Sequence, residues 1–235
     1  MKQNAKASAK PAPKRAPAKG TKSKRSAGRP TLRGDSVGSA ALLEATCELL
    51  REIAPEKITL AEVARRCGVD RRLIRYYFHD RARLLRAALD SLSQRFQQSV
   101  QSVFSETDTP EDRLRKRFES FLEFQLKYPY FRRLMVDEIM PSDDPADQQL
   151  LFDISLRGVT NYQKILEDGQ AGGLMRPVDP QLFYLCLIGM QEMATVGAAI
   201  LRKLGHPAID SPNYATTFSE FALDLMMNGL RPKEG

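Results

Sequence analysis

Arg71, Arg72 and Arg75 crowd onto one side of a short stretch that also carries Tyr76, and Asp70 is the only acid beside them. A guanidinium is a planar fork of N–H donors, suited to bidentate contact with guanine O6 and N7 or with phosphate. The same cluster could also be a solvated cationic face, so its setting decides. Upstream, Thr59-Leu60-Ala61-Glu62 reads as a capping box: the Thr59 hydroxyl accepts from the Glu62 N–H, and the Glu62 carboxylate reaches back to Thr59 N–H. The helix so begun runs through Val63, Ala64 and Cys67 and stops at Gly68, which tolerates the positive φ of a tight turn. Asp70 then caps a second helix containing Leu73, Ile74, Arg75, Tyr76, Tyr77 and Phe78. The small Ala64 lets the two helices approach, and Val63, Val69 and Ile74 fill their shared face. A small residue, a glycine four later and a hydrophobe ten later make a helix-turn-helix over Thr59–Phe78. In that register the arginine cluster reads as a DNA-contacting surface.

Charge supports a nucleic-acid partner. The net charge is +7, but 11 of the 36 Lys and Arg lie in residues 1–33, where there is no acid. The other 25 face all 29 acidic residues, leaving 34–235 at −4. Residues 1–34 are dominated by Ala, Lys, Pro, Ser, Arg and Gly, too little apolar surface to offset ordering entropy, so a disordered basic tail is expected. It ends in Gly28-Arg29-Pro30, a segment that can lie extended in a narrow minor groove with the Arg29 guanidinium inward. No apolar stretch follows the basic start, which argues against a secretory signal and for a cytoplasmic location.

The elements that must hold this surface are helices. Leu43, Thr46, Leu50 and Ile53 recur at helical spacing in a first helix ending near Ala54-Pro55. Thr109-Pro110-Glu111-Asp112 starts another with a capping hydroxyl, a proline at the first helical position and acids at the positive dipole end. Further helices are predicted over 129–139, 146–169, 179–204 and 212–228. No period-2 run of strand length appears, so the class is all-α: a DNA-binding domain over 35–85 and a second helical domain over 86–235. The apolar stretch Leu182 to Leu201 has the length of a membrane span but carries Gln191 and Glu192 at its middle. A central carboxylate costs roughly 2.5–3.5 kcal/mol on an insertion scale, so a helix buried in protein, and no membrane contact, is expected. Cys47, Cys67 and Cys186 follow no ligand spacing and read as reduced, buried, small apolar residues. Metal spacing, a Gly-rich phosphate loop and a Ser/His/Asp grouping are all missing from the sequence, so no cofactor, metal or catalytic residue is expected.

Taken together, Leu42-Leu43-Glu44-Ala45, Ile58-Thr59-Leu60-Ala61-Glu62-Val63-Ala64, Gly68-Val69-Asp70, Ile74-Arg75-Tyr76-Tyr77-Phe78, Arg81 and Leu84-Leu85 resemble the DNA-binding domain of the TetR family of bacterial transcriptional regulators. The resemblance covers about Leu42 to Leu89; Gly28-Arg29-Pro30 and the final Gly229-Leu230-Arg231-Pro232 also look like family features. It implies that Thr59, Arg71, Arg72, Leu73 and Tyr76 face bases or adjoining backbone, that Tyr77 touches phosphate, and that Arg81, in place of a customary Lys, holds phosphate from the start of the fourth helix. The sequence departs from the pattern at Arg75, where Tyr is usual, at Asp70, where Ser or Thr is usual, and at Ala54, where Gly often ends the first helix. Arg75 is read as a further phosphate or base contact.

The resemblance further implies a homodimer formed through helices about 179–204 and 212–228, and a pocket in the middle helices for an unidentified small-molecule effector. Phe124, Tyr128, Tyr162, Gln191 and Glu192 are the candidate effector-binding residues, the last two because they are polar within an apolar helix. The expected function is a DNA-binding regulator of double-stranded DNA, a repressor released from a near-palindromic operator. A nucleic-acid-compacting protein acting through its tail is the alternative. Deleting residues 1–33 separates the two in binding titrations at two salt concentrations. A regulator keeps its sequence preference and loses affinity and salt sensitivity, whereas a compactor loses nearly all binding.

Overall fold

In the computed structural model of the chain, residues 38–207, 211 and 213–232 are described. The basic tail, with Arg29, lies outside them. Among the described residues there are helices and no strand, in agreement with the all-α expectation.

Helix α1 (Ser39–Glu52) buries Leu42, Thr46, Leu49 and Leu50. The Thr46 hydroxyl satisfies itself by donating to the Leu42 carbonyl at 2.8 Å. Ala54 is extended, as a residue before proline must be, and a short 3₁₀ turn over Pro55–Lys57 leads on. Helices α2 (Leu60–Cys67) and α3 (Arg71–Phe78) follow. Helix α4 (Arg81–Val103) is about 35 Å long at 1.5 Å per residue. Val63, Ala64 and Ile74 pack with Leu42, Leu49 and Leu50 of α1 and with Leu84, Leu85 and Leu89 of α4. The same apolar cluster continues through Leu92, Phe96, Phe124, Phe131 and Leu134. It therefore runs straight across the boundary expected at residue 85, because α4 belongs to both sides.

Helix α5 (Pro110–Lys127) starts with the predicted cap: Thr109 Oγ1 accepts from Asp112 N at 3.1 Å, and Asp112 Oδ2 from Thr109 N at 3.0 Å. The helix expected over 129–139 begins as α6 (Phe131–Arg133) and continues over Leu134–Ile139 as a π-helical segment. Its wider winding is marked by the Met140 N–H reaching back five residues to the Met135 carbonyl at 2.9 Å. Helix α7 (Pro145–Ala171) is capped by Asp144 and α8 (Pro180–Val196) by Asp179. The single helix expected to residue 204 is interrupted at Gly197, beyond which α9 (Ala198–Lys203) carries on. The chain turns so tightly there that a Cβ on Gly197 would sit 2.4 Å from the Met193 carbonyl oxygen. Helix α10 (Tyr214–Leu230) closes a second core in which Leu114, Phe118, Ile165, Leu187 and Leu223 meet.

None of the helices among the described residues is long and apolar enough to cross a membrane. Cys47 is fully buried, and burial pushes its thiol up to about 11. The expectation of three buried thiols fails at Cys186, which lies on the exposed side of α8.

Gly68 ends α2 at φ +65°, with nothing within 4 Å of where a Cβ would stand. Substituting Gly68→Ala should therefore cost about 1–2 kcal/mol through the backbone alone. Urea denaturation should show the midpoint falling with the slope unchanged; a neutral result would mean that the turn relaxes.

Candidate functional site

The two helices of the motif are set by local chemistry. Thr59 Oγ1 accepts from Glu62 N at 3.1 Å. The reciprocal half of the expected box does not form, because the Glu62 carboxylate takes a charge-assisted bond from Arg65 one turn on, Nε to Oε2 at 3.1 Å. Past Gly68, the Val69 N–H returns to the Ala64 carbonyl at 3.0 Å. Asp70 Oδ1 accepts from Arg72 N at 2.7 Å, so the acid is used as a cap. Ile74 is buried, and Leu73, expected to face bases, is half-buried against the same core.

The rest of α3 faces outward. Arg71, Arg72, Arg75 and Tyr77 are exposed, and Tyr76 is 76% exposed. The Tyr76 and Tyr77 rings meet edge to face with centroids 5.1 Å apart. On α1 to α4, Arg51, Arg65, Arg66, Arg81, Arg83, Arg86 and Arg95 each pair with a carboxylate. Among the described residues the three arginines of α3 enter no ion pair. They are the guanidinium groups that a phosphate or base edge can engage without displacing an acid. Behind them His79 adopts φ +67° and ψ −56°, with Asp80 N bonded to the Phe78 carbonyl at 2.8 Å. This is the strained γ-turn of positive φ, and it sets the angle between α3 and α4.

Arg81 corrects a sequence expectation. Its side chain was expected on phosphate and is instead turned into protein. Nε donates to the Ile58 carbonyl at 2.8 Å and Nη2 to the Pro55 carbonyl at 2.7 Å, while the fork grips both oxygens of Glu138 at 2.7 and 2.8 Å. Beside it Arg133 reaches Glu56 at 2.9 Å. The turn before α2 is thus pinned to the π-helical segment of the body.

Further along α4 lies a cavity of about 60 Å³, enclosed by α4, α5, α7, α8 and the segment 131–135. Of the candidate effector-binding residues, Tyr162, Gln191 and Glu192 line it. Phe124 and Tyr128 do not. They stack behind the wall, with ring centroids 5.1 Å apart, and Phe124 packs on Phe131 at 5.0 Å. The sequence reading missed Arg117, Gln125 and Tyr184. Arg117 and Gln125 are 3% and 7% exposed, and Arg117 Nε and Gln125 Oε1 have no hydrogen-bond partner. Both lie on the apolar stripe of α5 with Leu114, Phe118, Phe121 and Leu122, so a polar residue interrupting a buried face was the signal available. Burial pushes the Tyr162 phenol up to about 12. Gln191 ties α8 to α5, Nε2 donating to the Phe118 carbonyl at 2.8 Å.

Residues 108–235 match the profile of the tetracyclin repressor-like C-terminal domain, and residues 42–88 match that of the bacterial regulatory proteins of the tetR family. The chain belongs to the TetR family. The family is one of bacterial regulatory proteins. The HTH-type transcriptional regulator BetI of Escherichia coli (strain K12 / DH10B) is 32% identical over 71 residues, which are 30% of this chain and 36% of BetI. That match spans only about a third of the relative's length. A protein with unknown function from Rhodococcus sp. RHA1 has a similar structure, with TM-score 0.64 and 20% identity, covering 87% of this chain and all of that one. The ketosteroid transcriptional regulator KstR2 of Mycobacterium tuberculosis gives 0.61 and 16%, covering 83% and 95%. AibR in complex with isovaleryl coenzyme A and operator DNA gives 0.60 and 18%, covering 83% and 98%. At these identities the likeness is one of fold.

For this TetR-family chain, Arg81 and the α3 arginines should behave in opposite ways. Changing Arg71 and Tyr76 to Ala should leave folding intact, since both are exposed, and relax base preference by roughly 1–3 kcal/mol per lost contact. Changing Arg81 to Ala strands the Glu138 carboxylate and the Ile58 carbonyl, while the Pro55 carbonyl keeps the Ile58 N–H, and should lower stability by about 2–3 kcal/mol. Denaturation curves beside binding to a specific and a scrambled duplex give both readings. Unchanged specificity and affinity in the double variant would mean that the reading face lies elsewhere.

Proposed function

We propose that this TetR-family regulator is a cytoplasmic homodimeric repressor. It reads a near-palindromic operator with α3 and is released by a small-molecule effector bound in the cavity beside α4. The observation that carries the reading face is the set of exposed arginines on α3 without carboxylate partners. In this reading Arg71, Arg72, Arg75 and Tyr76 contact bases or backbone, Thr59 and Tyr77 contact the flanking phosphates, and Arg29 enters the minor groove from the tail over residues 1–34. Residues 35–85 form the reading domain and 86–235 the effector and dimerisation domain.

The dimer surface is proposed on α8, α9 and α10. Leu182, Leu185 and Met193 are exposed on α8, Ile200 on α9, and Phe221 and Leu225 on α10. Scattered exposed apolar residues are ordinary, but a contiguous large apolar face on a monomer marks an interaction surface. Two-fold pairing there presents one α3 from each protomer, so half-sites fall about one DNA turn apart or somewhat more. Release is supported by how the parts are joined. The segment that supplies Phe131 and Met135 to the cavity wall also supplies Arg133 and Glu138, the groups that hold the turn before α2. An effector that binds one arrangement of this wall better than another shifts the heads accordingly.

Genome-wide mapping of bound fragments tests the operator: paired, inverted half-sites are expected, and a non-repeated motif would remove the two-fold reading. A Phe221→Glu change should convert the dimer to monomer in analytical ultracentrifugation and weaken operator binding. Helix content should stay unaltered, because the side chain is 64% exposed.

A further inference from the structure

We propose that the effector is a small organic carboxylate whose anionic group pairs with Arg117, with a short apolar body held among Phe96, Phe121 and Tyr162. The inference rests on the effector-released reading given above and names the ligand class for that cavity.

Arg117 carries the argument. It is 3% exposed, and none of the ion pairs among the described residues includes it. Its Nε has no acceptor. A buried guanidinium without a counter-ion is costly, because desolvation is not repaid by a partner. Two aromatic faces offset part of that cost: the guanidinium carbon lies 4.9 Å from the Tyr162 centroid and 5.6 Å from that of Phe96. Rings neutralise no charge, and the Tyr162 phenol, which also hydrogen-bonds the guanidinium, is neutral and leaves Nε without an acceptor, so the fork keeps its preference for a carboxylate. Glu192 lines the same cavity yet makes no ion pair with it.

Three neighbouring facts favour an organic anion over a neutral guest. Gln125 lies 7% exposed on the same wall with Oε1 lacking a donor, and rotation of the amide offers its N–H to a second ligand oxygen. Beside the polar Ser93, Gln97, Arg132 and Glu192, the lining includes Phe131, Met135, Ile154 and Ile188, an apolar share that suits a hydrocarbon body and not inorganic phosphate. Arg117 also borders a surface groove lined by Arg113, Lys164 and Glu106; Arg113 is held by Asp168, and Lys164, which enters no ion pair among the described residues, gives an anion a first contact. A volume of about 60 Å³ is room for several waters, at roughly 10–15 Å³ each, and sets a small guest.

The test is calorimetric titration of the full chain with acetate, propionate and isobutyrate, the acids short enough for this volume, beside their uncharged amides, with a fluorescence-polarisation assay of operator release. At least one carboxylate should bind tenfold or more tightly than its amide. Arg117→Gln should remove that preference, and Arg117→Met should do the same while filling the space with an apolar chain; melting curves check that each variant folds. Equal binding of amide and acid, carboxylate binding that survives in folded Arg117→Met, or no binding by any of the three acids overturns the inference. The wild-type acid-to-amide ratio stands even where a variant fails to fold. A carboxylate that binds through Arg117 without releasing the operator supports the anion site and refutes release by effector. Release by an amide but not its acid does the reverse.

Discussion

The guanidinium of Arg81 holds together parts of the chain that have no covalent reason to meet. With one side chain it occupies two carbonyls of the turn before α2 and both oxygens of Glu138, 57 residues further on. Pro55 and Ile58 lie where a chain leaving α1 must change direction; the Pro55 carbonyl also takes the Ile58 N–H at 2.9 Å, whereas for the Ile58 carbonyl Arg81 is the donor. The placement of α2, and through Gly68 that of α3, follows from this clamp. So does the docking of the π-helical segment, whose wider turn brings Glu138 to the clamp on one side while Phe131 and Met135 face the cavity on the other. Only the planar fork of arginine fits the role; an ammonium cannot span two carbonyls and a carboxylate at once.

This joint explains why one apolar cluster crosses from the reading head into the body. Helix α4 is continuous from Arg81, beside the clamp, to Ser93, Phe96 and Gln97 in the cavity wall. On the proposed reading, the cavity and the recognition helix share a rigid element and a set of ion pairs. Arg86 adds to these, binding Asp144 and Asp147 at the start of α7; the Ala146 N–H and then Arg86 hold the Asp144 carboxyl below its usual range, and Arg86 does so for Asp147. The Asp144 and Asp147 contributions are therefore fully present above the ordinary carboxylate pKa and fade as pH falls through the depressed one.

What could be read from sequence was local. Thr59, Gly68, Asp70 and Thr109 act within four residues of themselves, and each takes the place its side chain or φ requires. The long-range partners were not legible. Glu138 carries no mark that it answers Arg81, and the return from Met140 to Met135 in place of an i→i+4 bond is imposed by packing. Gly197 was visible only as a small residue, not as a break. In the cavity, hydrophobic spacing marks a face as buried without saying whether it meets a neighbour or a void. Phe124 and Tyr128 were thus expected at an effector and lie behind the cavity wall. Arg117, marked by a charge on an apolar stripe, lines that cavity and was passed over.

The pairing of the arginines on α1 to α4 also bears on how the protein moves on a genome. Each guanidinium held by a carboxylate has its counter-ion supplied by the fold, so it releases no salt on meeting a phosphate. Counter-ion release, which drives non-sequence-dependent sticking, scales with the number of phosphates neutralised. Confining free guanidinium groups in this region to α3 keeps that number small for the folded part of each head. On the proposed reading, indiscriminate adhesion then falls to the lysine-rich N-terminal residues, while the folded surface remains free to reject a wrong base pair quickly. Holding on to DNA and choosing among its sequences would in this way be assigned to different stretches of one chain.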